Sequence, residues 1–327
     1  MKVLISIQQP VNAWQIQPAG VERLRARFPD ITFAHATTDE ARAAALAECD
    51  VAYTWILSAA EAAAASRLKW VHTSAVAVET LALPELFARG VLVSNSRGVQ
   101  ATPIAEHVFA VLLALARQLP MVLDNQREAR WAQNDFGGVR LPWLLCKRTL
   151  GLIGLGTIGS QIALRADAFG MHVLGLRRRA DSEQVPGVHE MLRPGDLDTL
   201  LARADVVAIA APLTPETTNL MGQAQFARMK RGAVLINVGR ARIVDHAALV
   251  DALRSGRLGG ASLDVFPQEP LPPGDPLWTA PNIILTPHIS GFRQGHWDEV
   301  IDLFADNLDR FRRGEPVRFR VDPALGY

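Results

Sequence analysis

The 327-residue sequence predicts an α/β protein built from two doubly wound parallel-sheet domains. Three observations carry that expectation. Short apolar runs alternate with helix-period segments from end to end. One strand–turn–helix–strand stretch, residues 149–179, holds three spaced glycines. Titratable residues recur just past the apolar runs of the second half.

Taken in order, residues 2–7 read as a buried strand, 19–28 as a helix, 31–36 as a strand and 39–47 as a helix. Strand 50–55, an alanine-rich helix over 59–65, and strands 68–73 and 91–94 follow, so the first hundred residues form an α/β domain without a phosphate fingerprint. Ligands of open parallel sheets bind outside the carboxyl ends of the strands, which singles out Trp55-Ile56-Leu57 and Ser74-Ala75-Val76-Ala77. The second stretch is rich in small residues whose backbone N–H groups suit a carboxylate; it reads equally as a plain strand-to-helix connection. A long apolar-periodic helix is expected over 103–119, with Pro103 in its first turn and Pro120 just past its end. Glu106 and His107 near its start read as packing and capping groups. Residues 121–145, with Trp131 and Trp143, read as a protruding arm suited to dimerisation.

Residues 149–179 then form one βαβ unit. Gly154, Gly156 and Gly159 fit G-x-G-x-x-G: the first permits the tight turn, the second lets backbone approach a pyrophosphate, and the third lets helix and strand pack closely. The helix N-terminus, opening at Thr157 and Ile158, offers free N–H groups and a partial positive charge to the phosphates. A dinucleotide fold selective for NAD usually ends its second strand on Asp or Glu, which bonds the ribose 2′-hydroxyl. Here that position falls at Arg177, followed by Arg178 and Arg179, and guanidinium groups suit a 2′-phosphate. NADP is therefore the preferred cofactor, with NAD also open; as a bland alternative the arginines form a solvated loop.

Further buried strands are expected at 205–210, 233–238, 260–265 and 283–285, helices at 197–203 and 246–255, and a final helix at about 297–313. Three stretches place titratable groups at the carboxyl ends of these strands: Asn237-Val238-Gly239-Arg240, 263–270 with Asp264 and Glu269, and 286–291 with His288 and Gly291. Singly each has a structural explanation. Together, after successive strands of one sheet, Arg240, Glu269 and His288 make a candidate catalytic set.

Composition narrows the partners. With 34 basic and 33 acidic side chains the net charge is +1, so no global field draws the protein to nucleic acid or a membrane surface. Cys49 and Cys146 lie far apart and in no metal-like spacing, which indicates neither a disulfide framework nor a metal site. No signal segment or uninterrupted apolar span is visible, and a cytoplasmic location is expected.

The motifs GLGTIG, LINVGRARIVD, LDVFPQEPLP and TPHISG, with IAEHVFAVLLALAR before them and NLDRFRRGEPVRFRVDPALGY at the end, resemble the D-2-hydroxyacid dehydrogenases, the D-isomer-specific NAD(P)-dependent family, nearest its glyoxylate and hydroxypyruvate reductase branch. The resemblance covers most of the chain. It implies a Rossmann dinucleotide-binding domain, 99–291, inserted into a flavodoxin-like substrate domain formed by 1–98 with 292–327. It implies that Arg240 holds the substrate carboxylate and carbonyl, that His288 is the acid and base, and that Glu269 orients and charges His288. Cofactor contacts are implied at Gly154, Gly156, Thr157, Ile158, Gly159, 177–179, Pro212, Thr217, Val238, Asp264 and Gly291, and substrate contacts at Val76, Ala77, Arg240 and His288. The partner so implied is a small 2-keto or 2-hydroxy acid, and the assembly a homodimer. Ala77 and Ala241 stand where the family often has glycine; if either position needed positive φ, alanine would cost roughly 1 kcal/mol. A rival of another class, a dinucleotide-sensing corepressor, shares the fold.

Overall fold

The computed structural model describes all residues except Pro10, 139–140, 179–183, Leu325 and Tyr327. The chain divides into two compact units, 1–100 with 292–327, and 101–291.

In the first unit, strands β1 (Lys2–Ser6), β2 (Thr32–His35), β3 (Val51–Thr54), β4 (Trp70–Thr73) and β5 (Leu92–Asn95) form one parallel sheet in the order β2-β1-β3-β4-β5. This is the flavodoxin-like order, 2-1-3-4-5. Helices α1 (Pro18–Arg27), α2 (Asp39–Leu46), α3 (Ala59–Ala64) and α4 (Leu83–Ala88) connect the strands. Local chemistry fixes their starts. Thr38 accepts from the Ala41 amide, Ser58 and Glu61 form a reciprocal capping box, and Pro18 opens α1, where its missing N–H costs nothing. At six residues, α4 is too short to show a helical period in the sequence.

The second unit opens with α5 (Ala101–Ala116) and α6 (Leu119–Arg127). This corrects the expected single helix over 103–119. Inside a continuing helix the Pro120 ring would clash with the carbonyl of Ala116. The chain instead ends α5, passes through Gln118 at φ 57, and restarts at Leu119 with Pro120 in the first turn, so the two helix axes differ by 69°. Part of the arm expected over 121–145 is thus helical, while 139–140 within it lie outside the described residues.

A seven-stranded sheet follows. It comprises β6 (Thr149–Ile153), β7 (His172–Leu176), β8 (Glu190–Leu192), β9 (Val206–Ile209), β10 (Ala233–Asn237), β11 (Leu258–Leu263) and β12 (Ile283–Leu285), in the order β12-β11-β10-β9-β6-β7-β8. Counted from β6 the order is 3-2-1-4-5-6-7, which is Rossmann topology with one added edge strand. Helices α7 (Thr157–Ala168), α8 (Leu197–Arg203), α9 (Gln223–Arg228) and α10 (His246–Arg254) cover the faces. β8 and α9 are too short to show a period in the sequence. Strands such as β10, buried at every residue, read as continuous apolar runs because both faces are covered.

The last helix, α11 (His296–Arg312), returns to the first unit. Its Val300, Ile301, Phe304 and Leu308 join Val3, Ile5, Tyr53 and Trp70 in one core, with Phe304 stacked 4.1 Å from Tyr53. Among the described residues no single helix is long and apolar enough to cross a membrane.

Candidate active site

The glycine turn follows β6. Gly154 has φ +99, and a Cβ there would lie 2.7 Å from the Ala211 amide nitrogen; a Cβ at Gly159 would collide with the Gly154 carbonyl. Both positions therefore exclude any side chain, and together they bring α7 tightly onto the sheet. Gly156 differs, since nothing lies within 4 Å of the Cβ position and no side chain caps the helix that starts at Thr157 and Ile158. The result is open space in front of uncapped N–H groups, a donor set that fits a pyrophosphate.

Arg177 is the first residue past β7, and its amide bonds the Leu192 carbonyl. Arg178 follows, exposed, close enough to Glu216 that its cation helps hold that carboxyl below its usual range, after the Thr214 hydroxyl and the backbone. Arg179 lies outside the described residues. Beyond β9 the loop is braced on itself: the Thr217 hydroxyl donates to the Pro212 carbonyl at 2.8 Å and accepts from the Thr214 amide at 2.7 Å.

Val238 through Arg240 leave β10 in a turn set by buried Asn237. Its carboxamide accepts from the Gly239 amide and donates to the Arg240 carbonyl, both at 3.0 Å. Nothing in the local sequence marks Asn237 for this bracing role, which only the closed turn reveals. Neither Ala241 nor Ala77 has positive φ, so the anticipated cost of alanine at those positions does not arise.

Asp264, just past β11 and 1% exposed, accepts three hydrogen bonds, from the Thr286 hydroxyl at 2.6 Å and from the amides of Ile289 and Ser290 at 3.0 Å each. These bonds shape the turn after β12. His288 within it sits at φ 54, a left-handed conformation that few non-glycine residues adopt and that costs on the order of 1–3 kcal/mol. That strain aims its ring. Nδ1 meets Glu269 Oε2 at 2.8 Å, while Glu269 Oε1 accepts from the Phe266 amide at 2.9 Å. With Nδ1–H donated to the carboxylate, Nε2 is the nitrogen left to exchange a proton.

The electrostatics follow from the geometry. The hydrogen bond and charge of Glu269 raise the His288 pKa, and Asp264 adds to this, while desolvation and Arg240 oppose. For Glu269, burial pushes upward, yet the His288 bond, the Phe266 amide and the nearby cations outweigh it and the carboxyl stays below its usual range. Arg240 is thus within electrostatic reach of both. Arg240, Glu269 and His288 leave three adjacent strands, β10, β11 and β12, at the same sheet edge.

Val76 and Ala77 belong to the first unit, past the carboxyl end of β4. The Val76 carbonyl accepts from Asn95 Nδ2 at 2.8 Å, and the two amide N–H groups have no acceptor among the described residues. Gly291 is the last residue of the second unit.

Fold and site together define a dinucleotide-dependent oxidoreductase of the parallel α/β class. Residues 109–290 match the NAD-binding domain of the D-isomer specific 2-hydroxyacid dehydrogenases. The chain is 38% identical over 254 residues to a glyoxylate reductase of Korarchaeum cryptofilum, spanning 77% of this chain and 75% of that one. It is 37% identical over 265 residues to glyoxylate/hydroxypyruvate reductase B of Pectobacterium carotovorum, spanning 80% and 81%. Among solved structures, a probable 2-hydroxyacid dehydrogenase of Rhizobium etli in complex with NADP superposes with a TM-score of 0.83 at 28% identity, covering 99% of each chain. A D-isomer specific 2-hydroxyacid dehydrogenase of Xanthobacter autotrophicus with NADPH gives 0.82 at 31%, again covering 99% of each. The chain belongs to the D-isomer specific 2-hydroxyacid dehydrogenase family, and it is an NAD(P)-dependent oxidoreductase acting between 2-keto and 2-hydroxy acids. The corepressor reading finds no support in these relatives.

Proposed function

We propose that the protein is a 2-keto acid reductase that takes glyoxylate or hydroxypyruvate, prefers NADPH, and uses His288 as its acid and base. The Glu269–His288 contact at 2.8 Å carries this reading, because it favours the imidazolium form and leaves Nε2 as the nitrogen able to exchange a proton. The bound nicotinamide supplies the hydride. The planar fork of Arg240 clamps the substrate carboxylate and polarises the carbonyl, and the backbone amides of Val76 and Ala77 have the chemistry of a carboxylate contact. His288 Nε2 donates a proton to the oxygen that gains charge; in the reverse direction it accepts that proton. Pyrophosphate binding falls to Gly154, Gly156, Thr157, Ile158 and Gly159, and the remaining cofactor contacts to Pro212, Thr217, Val238, Asp264 and Gly291. Arg177, with Arg178 and Arg179, holds the 2′-phosphate. The chemistry of the named relatives, two of them reductases of glyoxylate, supports the substrate class.

The arm suits a homodimer: Leu123, Trp131, Leu141 and Leu144 are exposed, Trp131 at 90%. The free thiols Cys49 and Cys146 accord with a reducing, cytoplasmic setting. A cofactor-oxidation panel with glyoxylate, hydroxypyruvate and larger 2-keto acids, run with NADPH and NADH, tests the reading. Turnover of small 2-keto acids favouring NADPH, with preference swinging to NADH in Arg177→Asp, is expected. Equal kcat/KM for the two cofactors in the wild type would overturn the cofactor assignment, and a monomer at all concentrations on sedimentation the dimer.

A further inference from the structure

Glu106 and His107, adjacent on α5, have no partner that sequence spacing could reveal, yet each has one in the fold. Glu106 Oε1 lies 3.4 Å from Arg165 on α7, an exposed pair worth little. His107 reaches the catalytic turn. Its Nε2 is 3.1 Å from the Thr286 hydroxyl, which itself lies 2.6 Å from Asp264 Oδ1. An ionised carboxylate only accepts, and a hydroxyl has one proton; Thr286 therefore donates to Asp264, and His107 must donate to Thr286 through Nε2–H. Burial favours the neutral imidazole at His107, opposed by the Asp264 charge, and one proton on Nε2 is all this chain of bonds requires.

The chain ends at His288. Asp264 also accepts from the amides of Ile289 and Ser290, and the His288 amide bonds the Thr286 carbonyl at 2.9 Å. The strained residue at φ 54 is thus flanked on both sides by groups tied to one buried carboxylate. We propose that His107 is a positioning residue for proton transfer: its Nε2–H fixes the Thr286 hydroxyl on Asp264, and so holds the turn that seats His288 against Glu269. This rests on the reading of His288 as acid and base. Without the His107 donor, the Thr286 hydroxyl loses its orientation and Asp264 one of its three secured donors. The turn then relaxes toward an unstrained φ and the Nδ1 contact to Glu269 loosens.

The test uses the full chain with NADPH and the best small 2-keto acid, and records kcat, KM and the pH profile of reduction for His107→Leu, His107→Gln and Thr286→Val. The groups facing His288 are Glu269, Asp264 and Arg240, and none of them is altered. Small misplacements of a reacting group can cost on the order of 10²-fold, so partial loosening in His107→Leu should lower kcat roughly ten-fold. Its alkaline limb should move to lower pH, because a loosened Glu269 contact lowers the His288 pKa. Gln, which keeps an N–H donor, should recover most of both effects, and His107→Leu/Thr286→Val should be no worse than Thr286→Val alone. A His107→Leu enzyme with an unmoved limb overturns the proposal, whatever its melting temperature, as do additive losses in the double variant. If His107→Leu does not fold, Thr286→Val breaks the same link from the other side, and an unmoved limb there is equally fatal. His288→Asn separates the two failures: full turnover in it sinks the acid/base reading itself, whereas an inactive His288→Asn beside an unmoved His107→Leu sinks only the positioning role.

Discussion

His72 and His288 each stand at the carboxyl end of a parallel strand, one in each unit, and the fold drives them in opposite directions. His72 is fully buried beside Tyr53, Trp70 and Phe304, its ring nitrogens bonded to the hydroxyls of Ser94 at 2.7 Å and Ser96 at 3.3 Å. Burial pulls its pKa down to about 3, and no carboxylate among the described residues offsets it. His288 is solvent-exposed, strained at φ 54 and bonded to Glu269, and its pKa is raised. The difference lies in burial and in the partner: desolvation alone depresses His72, whereas at His288 the Glu269 bond outweighs it. A hydroxyl satisfies the neutral ring and leaves it inert, whereas a carboxylate stabilises the cation and makes the ring a proton donor near neutral pH.

Exchanging the roles should fail most visibly at His288. Replacing it with Asn is expected to lower kcat in both directions by roughly 10²-fold to 10⁴-fold with little change in melting temperature. His72→Asn should leave kcat per folded molecule near that of wild type. A His72 variant as inactive as His288→Asn would erase the contrast.

A milder change tests the carboxylate itself. Glu269→Gln keeps the shape and removes the charge, so the His288 pKa should fall and the alkaline limb of reduction should move to lower pH. Oxidation needs the neutral ring and should suffer less at neutral pH. Parallel losses in the two directions, with limbs unmoved, would make the pair structural.

The two regions also differ in how far they could be read from sequence. The glycine turn and the strand runs were legible because local chemistry sets them within a few residues, and the positions of Arg240, Glu269 and His288 after successive strands could be read off the same runs. The neutral packing of His72 was not, because it depends on Ser94, its register partner on the neighbouring strand β5, and on Ser96 just past that strand, both more than twenty residues along the chain. The His107 hydrogen bond is hidden for the same reason: its partner Thr286 is 179 residues distant. The break between α5 and α6 was legible in principle, since Pro120 forbids the continued helix, but apolar periodicity across it masked the stop.

In the first unit the contrast should appear as stability rather than rate. His72→Leu keeps an apolar fill but leaves the Ser94 and Ser96 hydroxyls without their ring partner, at a cost of roughly 1–3 kcal/mol on denaturation. Glu269→Gln, at a half-exposed pair, should cost less than that, and the reverse ranking would count against the division of labour.

The pH dependence is the test most specific to the depressed pKa. A histidine whose folded pKa lies below its unfolded value is neutral in both states above the unfolded pKa, and there its stabilising contribution is complete. As pH falls below 6.5 the unfolded chain takes up a proton that the folded protein refuses, and stability declines until the folded pKa near 3 is reached. Within that window the slope attributable to His72 approaches about 1.4 kcal/mol per pH unit. Other histidines with lowered pKa values, His296 at about 4 among them, contribute slopes of their own, so the comparison must be between wild type and His72→Leu. The variant starts less stable at pH 7 but should lose stability less steeply on acidification, and the two curves should converge toward low pH. Parallel curves from urea unfolding across that range would mean that His72 is already protonated in the folded protein, and that burial without a carboxylate does not hold a histidine neutral here.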